Sequence, residues 1–239
     1  MELLWTGLRQ AFGMLASLDP EVVRAALLTL KISGLATIIG LGLGIPLGLG
    51  LSMARFPGRR VLVSIINTGM GLPPVVVGLF VALFLWRSGP MGGLHLIYTP
   101  GAMVIAQAII VVPIIAGLSL AAFQNVDPLA VLQARALGAS NLQAALVLCR
   151  EARLPQLAAV MAGFGGAVSE VGAVLMVGGN IKGQTRVLTT AIVQETRMGH
   201  FEVAIALSLV LLALSFAVNF LLTSIQQKGA KAWKPRTWR

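Results

Sequence analysis

The chain has 239 residues, 57% of them hydrophobic and only 11% charged, with 18 basic residues against 8 acidic ones and a net charge of +10. A soluble domain carries about 25% charged residues. With a mean hydropathy of +0.89 too little polar surface is left to keep this fold in water, so lipid is the solvent that fits. The basic residues fall in short clusters between apolar runs, not along one stripe with interleaved aromatics as in a nucleic-acid binder, and the single cysteine, Cys149, excludes an intramolecular disulfide or a CxxC metal site.

Residues 1–20 form an amphipathic piece, in which Leu4, Trp5, Leu8, Phe12 and Leu15 recur at helical spacing with Arg9 and Gln10 off that face. A helix this short lies in the membrane interface and does not cross. It lacks the basic start and small-residue cleavage site of a signal peptide, and carries Glu2 early. Asp19 and Pro20 then supply an N-cap and a proline at the first helical position. Five runs follow: 32–54 and 61–86 without a charge, 101–123, 157–179 interrupted only by Glu170, and 203–227 without a charge. About 20 apolar residues cross the hydrocarbon core, so each run is long enough to span. The expected fold is an all-α, polytopic membrane helix bundle of about five transmembrane helices, with an N-terminal interfacial helix.

Inside the first span Gly40, Gly44 and Gly48 recur every four residues and form a flat stripe for close backbone approach, with Pro46 kinking the helix. In the second, Gly69, Gly71, Pro73 and Pro74 break the helix near its middle. Backbone freed there must be buried in protein or face water, which makes Pro73 and Pro74 candidates for a pathway or gate. Pro113 has the same potential in the third span. Glu170 is the one acidic residue well inside a span, where a carboxylate is costly and often functional. One reading makes it the proton or sodium site of an ion-coupled secondary transporter; the other makes it a latch bonded to backbone or to a basic residue.

Lysine and arginine bias sets orientation. Arg55, Arg59 and Arg60, then Arg135, Arg150 and Arg153, then Lys228, Lys231, Lys234, Arg236 and Arg239 fall on one side when five spans are counted. That side is the cytoplasm, with the N-terminus outside and the C-terminus inside. The tail 228–239 is short and basic, with Trp233 and Trp238 placed at headgroup level. His95 and His200 lie in different outer loops without a carboxylate pair, and no GxSxG, HExxH or GxxxxGK[ST] pattern occurs. No catalytic residue, metal site or cofactor is expected in this chain; if ATP drives it, a partner subunit binds the ATP and Mg.

The inner segment 124–156 is much longer than a turn. Asp127-Pro128 reads as a helix start, Gly138 as a stop, Ser140 or Asn141 as the cap of a second helix, and Pro155 as its end near the membrane. Two short helices about a glycine turn make a docking element. The run Gln133-Ala134-Arg135-Ala136-Leu137-Gly138-Ala139-Ser140, followed by Leu154-Pro155, resembles the EAA loop of ABC importer permeases, with Leu132 at the place of the motif's leading glutamate. That resemblance implies that Ala134, Arg135, Gly138, Ala139, Leu154 and Pro155 contact a cytoplasmic ABC ATPase.

A second run, Ser169-Glu170-Val171-Gly172-Ala173 through Asn180-Ile181, with Thr185-Arg186-Val187-Leu188-Thr189-Thr190 after it, resembles the molybdate, sulfate and tungstate permeases, most of all the tungstate type. It implies a single type-1 transmembrane domain over 1–239, not an enzyme by itself, in a bacterial or archaeal inner or plasma membrane. The implied partners are a second copy of the chain, two ATPase subunits, an extracytoplasmic oxyanion-binding protein and lipid, with no nucleic acid. The cargo implied is tungstate, with molybdate or sulfate as alternatives. Ser169, Glu170, Asn180, Thr185 and Arg186 join Pro73 and Pro74 as pathway candidates. Thr185, Thr189 and Thr190 are possible hydroxyl donors, and Lys182, Arg186 and Arg197 a positive field at the mouth.

Overall fold

The computed structural model describes residues 5–7, 9, 13 and 19–232, with side chains as far as 228. The expected interfacial helix over 1–20 falls almost wholly outside the described residues, as does the basic tail beyond 232. Helices come in the order α1 (Pro20–Met53), α2 (Arg59–Met70), α3 (Pro74–Leu85), α4 (Pro100–Gln124), α5 (Pro128–Ala136), α6 (Asn141–Glu151), α7 (Arg153–Val168), α8 (Gly172–Gly178), α9 (Leu188–Arg197) and α10 (Phe201–Ala232), with a short 3₁₀ turn at Gly92–Leu94. Among the described residues there is no strand.

Helix starts follow the caps written in the sequence. Asp19 Oδ1 accepts from the Glu21 and Val22 amides at 2.8 and 3.2 Å, and Pro20 lacks an N–H that would in any case be unpaired. Three helices, α1, α4 and α10, are each long and apolar enough to cross a membrane. The pairs α2–α3 and α7–α8 each pass the same test together, bent by 100° and 54° at their breaks, so five spans result when each pair is one. The first break falls at Gly71, Leu72 and Pro73, where the glycines and prolines predict it. The second corrects the expected continuous run 157–179: the chain leaves helix at Ser169 and re-enters it at Gly172.

The chain divides into two compact units, one of residues 1–38, 72–111 and 164–217, the other of 39–71, 112–163 and 218–239. In the first unit α3 packs on α8 so closely that a Cβ on Gly78 would lie 2.7 Å from Ala173 Cα, and one on Gly172 2.8 Å from Val75 Cγ2. Its apolar cluster joins Val22 and Ala25 of α1 to Leu188 and Ala191 of α9 and Leu207 and Val210 of α10. In the second unit Leu51 of α1, Ile66 of α2 and Ala116 and Leu120 of α4 form one cluster. Gly44 and Gly48 bring α1 against the α4 backbone, as the four-residue stripe requires: a Cβ on Gly44 would meet Ala116 N at 3.0 Å.

Candidate functional site

The 124–156 element is built from local caps. Asp127 Oδ1 accepts from the Leu129 amide at 2.9 Å with Pro128 at the first helical position of α5. At the other end the Ala139 amide donates to the Ala134 carbonyl at 3.0 Å and the Gly138 amide to the Arg135 carbonyl at 2.9 Å, with Gly138 at φ +91°. This is a Schellman turn, which requires the left-handed residue that only glycine adopts without strain. Ala134, Arg135, Gly138 and Ala139 are therefore the residues that make this one turn. Ser140 then starts α6 with a capping box: the Gln143 amide donates to Ser140 Oγ at 3.3 Å and the Ser140 amide to Gln143 Oε1 at 2.8 Å.

Pro155 does not end α6. Glu151 is the last residue of α6 and Ala152 its C-cap, and Pro155 sits in the first turn of α7, where a missing N–H breaks no intrahelical bond. Phe123, Leu148 and Ala152 pack the element onto its own unit, with Ile45, Leu49, Met53 and Cys149 against them. Burial pushes the Cys149 thiol pKa up from its ordinary value, which fits a packing residue and not a reactive one. The other face is open: Leu129, Leu132, Leu137 and Leu142 are 60, 60, 89 and 72% exposed, beside exposed Arg135 and Gly138.

The second constellation lies in 169–200. Glu170 is buried, and its Oε1 accepts from the Ala173 amide at 2.9 Å, capping the start of α8 at the break. Ser169 is exposed, its hydroxyl donating to the Gly165 carbonyl at 2.8 Å. Thr185 is fully buried; its hydroxyl donates to the Gly178 carbonyl and accepts from the Ile181 amide. Thr189 donates to the Glu170 carbonyl and Thr190 to the Val187 carbonyl. As placed, all three threonine hydroxyls close the backbone of this segment upon itself.

Lys182 and Arg186 are likewise paired. Glu21, at the start of α1, holds Lys182 Nζ at 2.6 Å and Arg186 Nη1 at 3.0 Å. Arg186 Nη2 donates to Gln194 Oε1 at 3.0 Å, and Asn180, at φ +51°, donates to the same oxygen. A cavity of about 580 Å³ adjoins this cluster, lined among others by Arg24, Lys31, Lys182 and Arg186 with Leu27 and Leu28 as apolar wall. His200 Nδ1 lies 2.9 Å from Glu195 Oε2, a carboxylate neighbour that spacing alone did not reveal.

Residues 40–230 match the family model for the binding-protein-dependent transport system inner membrane component. The chain belongs to this family. The tungstate uptake system permease protein of Peptoclostridium acidaminophilum is 41% identical over 228 residues, 95% of this chain and all of that one. A probable anion ABC transporter permease protein of Haloferax volcanii is 47% identical over 171 residues, 70% of this chain and 74% of that one. Among solved structures, a chain of the MetNI methionine ABC transporter in inward-facing conformations superposes with a TM-score of 0.74 at 19% identity, covering 89% of this chain and 97% of that one. This likeness shows that the two share a fold.

In this integral inner-membrane permease the residues singled out from sequence thus separate by what their atoms hold. The coupling candidates Ala134, Arg135, Gly138 and Ala139 come together in one turn, and Leu154 and Pro155 open the next helix but one. Pro73 and Pro74 sit at the α2–α3 break, Ser169 and Glu170 at the α7–α8 break, and Asn180, Thr185 and Arg186 in the closed segment between α8 and α9. Sequence reading missed Glu21 and Gln194 as the partners of Arg186. Glu21 lies 165 residues from it, and no local pattern marks such a pair.

Proposed function

We propose that this permease is the membrane subunit of an ATP-driven importer for a tetrahedral oxyanion, tungstate before molybdate or sulfate. The observation that carries the coupling half is the 124–156 element. Its helix ends are held by caps, yet it leaves Leu129, Leu132, Leu137, Leu142 and Leu146 exposed. Exposed apolar side chains on a capped element of this kind mark a protein-binding surface. The cargo half is supported by the tungstate and anion permeases at 41% and 47% identity.

In this reading two copies of the chain assemble, with the N-termini outside and the C-termini in the cytoplasm. Each 124–156 element docks on an ABC ATPase that binds the ATP and Mg. A binding protein delivers the anion from outside. Closure of the ATPases on ATP draws the two elements together and opens the permease outward; hydrolysis returns it inward. ATP acts through its different affinity for the two states, which is the only way a ligand shifts such an equilibrium. The ion-coupled reading of Glu170 has less support, because its carboxylate already serves as the cap of α8.

Reconstitution of the permease with its ATPase and binding protein in proteoliposomes tests this. Hydrolysis stimulated by tungstate-loaded binding protein, with uptake of the anion, is the expected result. Uptake that needs an ion gradient and no ATPase overturns it.

A further inference from the structure

In α2 the residues Arg60, Ser64, Asn67 and Thr68 recur at i, i+4, i+7 and i+8, so they share one helix face, and all four are exposed. A neighbouring side of α2 is packed, with Ile66 buried against Leu51, Ala116 and Leu120. That packing also fixes depth. A Cβ on Gly69 would lie 2.7 Å from Pro113 Cβ, and Pro113 precedes the end of α4 at Gln124 by about 16 Å of helix. Asn67 and Thr68 therefore sit within the hydrocarbon layer, where polar side chains face protein or water and not lipid.

A second observation sets these three side chains apart. Several hydroxyls on other spanning helices turn back to a carbonyl four residues earlier: Thr29 to Ala25 and Thr37 to Ser33 at 2.7 Å, Ser208 to Ala204 and Ser224 to Phe220 at 2.8 Å, while Ser119 donates to Gln156 Oε1 at 2.7 Å. The side chains of Ser64, Asn67 and Thr68 have no hydrogen-bond partner among the described residues. They present two hydroxyls and an amide, all neutral donors. A passing anion needs donors good enough to replace part of its hydration shell and weak enough to release it. A buried cation in their place would hold a dianion too tightly to pass. A second copy facing the first across a two-fold axis offers the same stripe from the other side.

We propose that Ser64, Asn67 and Thr68 line the water-filled path between two copies of the permease and donate hydrogen bonds to the oxyanion in transit. This rests on the oxyanion reading above. It is tested in the reconstituted complex with Cys149→Ser as a cysteine-free permease background and labelling read on the permease chain. Asn67→Cys is compared with Ile65→Cys, also an exposed position but on the opposite flank of the helix, using a charged, membrane-impermeant thiosulfonate. The reacting species is the thiolate, which forms in water and not in hydrocarbon, so Asn67→Cys is labelled about tenfold faster or more. Tungstate supplied during ATP turnover slows that labelling. Ser64→Ala, Asn67→Ala and Thr68→Ala each lower the uptake rate by about fivefold, as for one lost neutral hydrogen bond.

Labelling of Asn67→Cys as slow as that of Ile65→Cys overturns the path assignment. A wild-type complex that imports an oxyanion, combined with labelling and uptake that ignore the anion and the three substitutions, overturns the donor role. A wild-type complex that imports none of tungstate, molybdate and sulfate removes the oxyanion reading and the donor role with it, while water access at Asn67 is read separately.

Discussion

Replacing Gly48 by alanine probes how closely α1 can lie against α4. A Cβ at Gly48 would sit 2.8 Å from the Leu120 amide nitrogen, 2.9 Å from the Ala116 carbonyl oxygen and 2.9 Å from Ser119 Cβ. The first two are backbone atoms of a helix and cannot rotate aside, so the helices must part locally. Such overpacking costs about 1–3 kcal/mol. Alanine recovers about 1 kcal/mol of helix propensity over glycine, which leaves a net loss of up to about 2 kcal/mol. Gly42, on the same helix, isolates the propensity term because nothing lies within 4 Å of its Cβ position. Unfolding of both variants by SDS in mixed micelles, followed by tryptophan fluorescence, puts them on one scale. Gly48→Ala should unfold earlier than the parent and Gly42→Ala at the same point or later. Equal stability of the two variants refutes the close-approach account.

Substitutions at three further positions separate roles within the two constellations. Gly138→Asp places a side chain at φ +91°, costing about 1 kcal/mol and adding charge to the open turn; ATPase copurification should fall or hydrolysis should run without uptake, and normal assembly with normal uptake counts against the docking role. Ser140→Ala removes one half of the capping box and should weaken α6 by about 1 kcal/mol, read as faster amide exchange over 141–144 with little change elsewhere. Glu170→Gln keeps an oxygen for the Ala173 amide and should retain most ATP-driven uptake, whereas Glu170→Ala leaves that amide unpaired at about 1–3 kcal/mol; loss of transport in Glu170→Gln, in a complex that remains folded, favours a titrating role instead.

Legibility in this chain follows the range of the interaction. Asp19-Pro20, Asp127-Pro128, Gly138 and Ser140 with Gln143 declare helix ends because caps are made by residues two to five positions apart. Pro155 shows the limit of that logic: a proline after a helix and a proline in the first turn of the next look alike, and Ala152 as the intervening C-cap decides. The α7–α8 break was not legible, because a hydropathy window records how apolar a run is and not whether it is one helix. What accompanies the break is tertiary, namely Gly78 against Ala173 and Gly172 against Val75. The stripe Ser64, Asn67, Thr68 was present in the sequence as a polar period of 3.6, but a count of charges passes over neutral donors.

The permease thus holds Lys182 and Arg186 against Glu21 and leaves the Ser64, Asn67 and Thr68 side chains without a partner among the described residues, and this bears on where cargo is chosen. Lys182 and Arg186 project a positive field, yet an anion that bonded them would compete with Glu21. Ser64, Asn67 and Thr68 ask nothing of an anion except hydrogen-bond acceptors, and tungstate and molybdate, both tetrahedral dianions, offer the same ones. Neutral donors distinguish acceptor geometry only weakly when charge and size are alike. Loss of one donor should therefore slow both anions by the same factor, about fivefold, leaving preference to the binding protein. Uptake of the two anions by Asn67→Ala, each delivered by the same binding protein at saturation, checks this. If tungstate uptake falls and molybdate uptake holds, the stripe itself discriminates and the division of labour argued here is wrong.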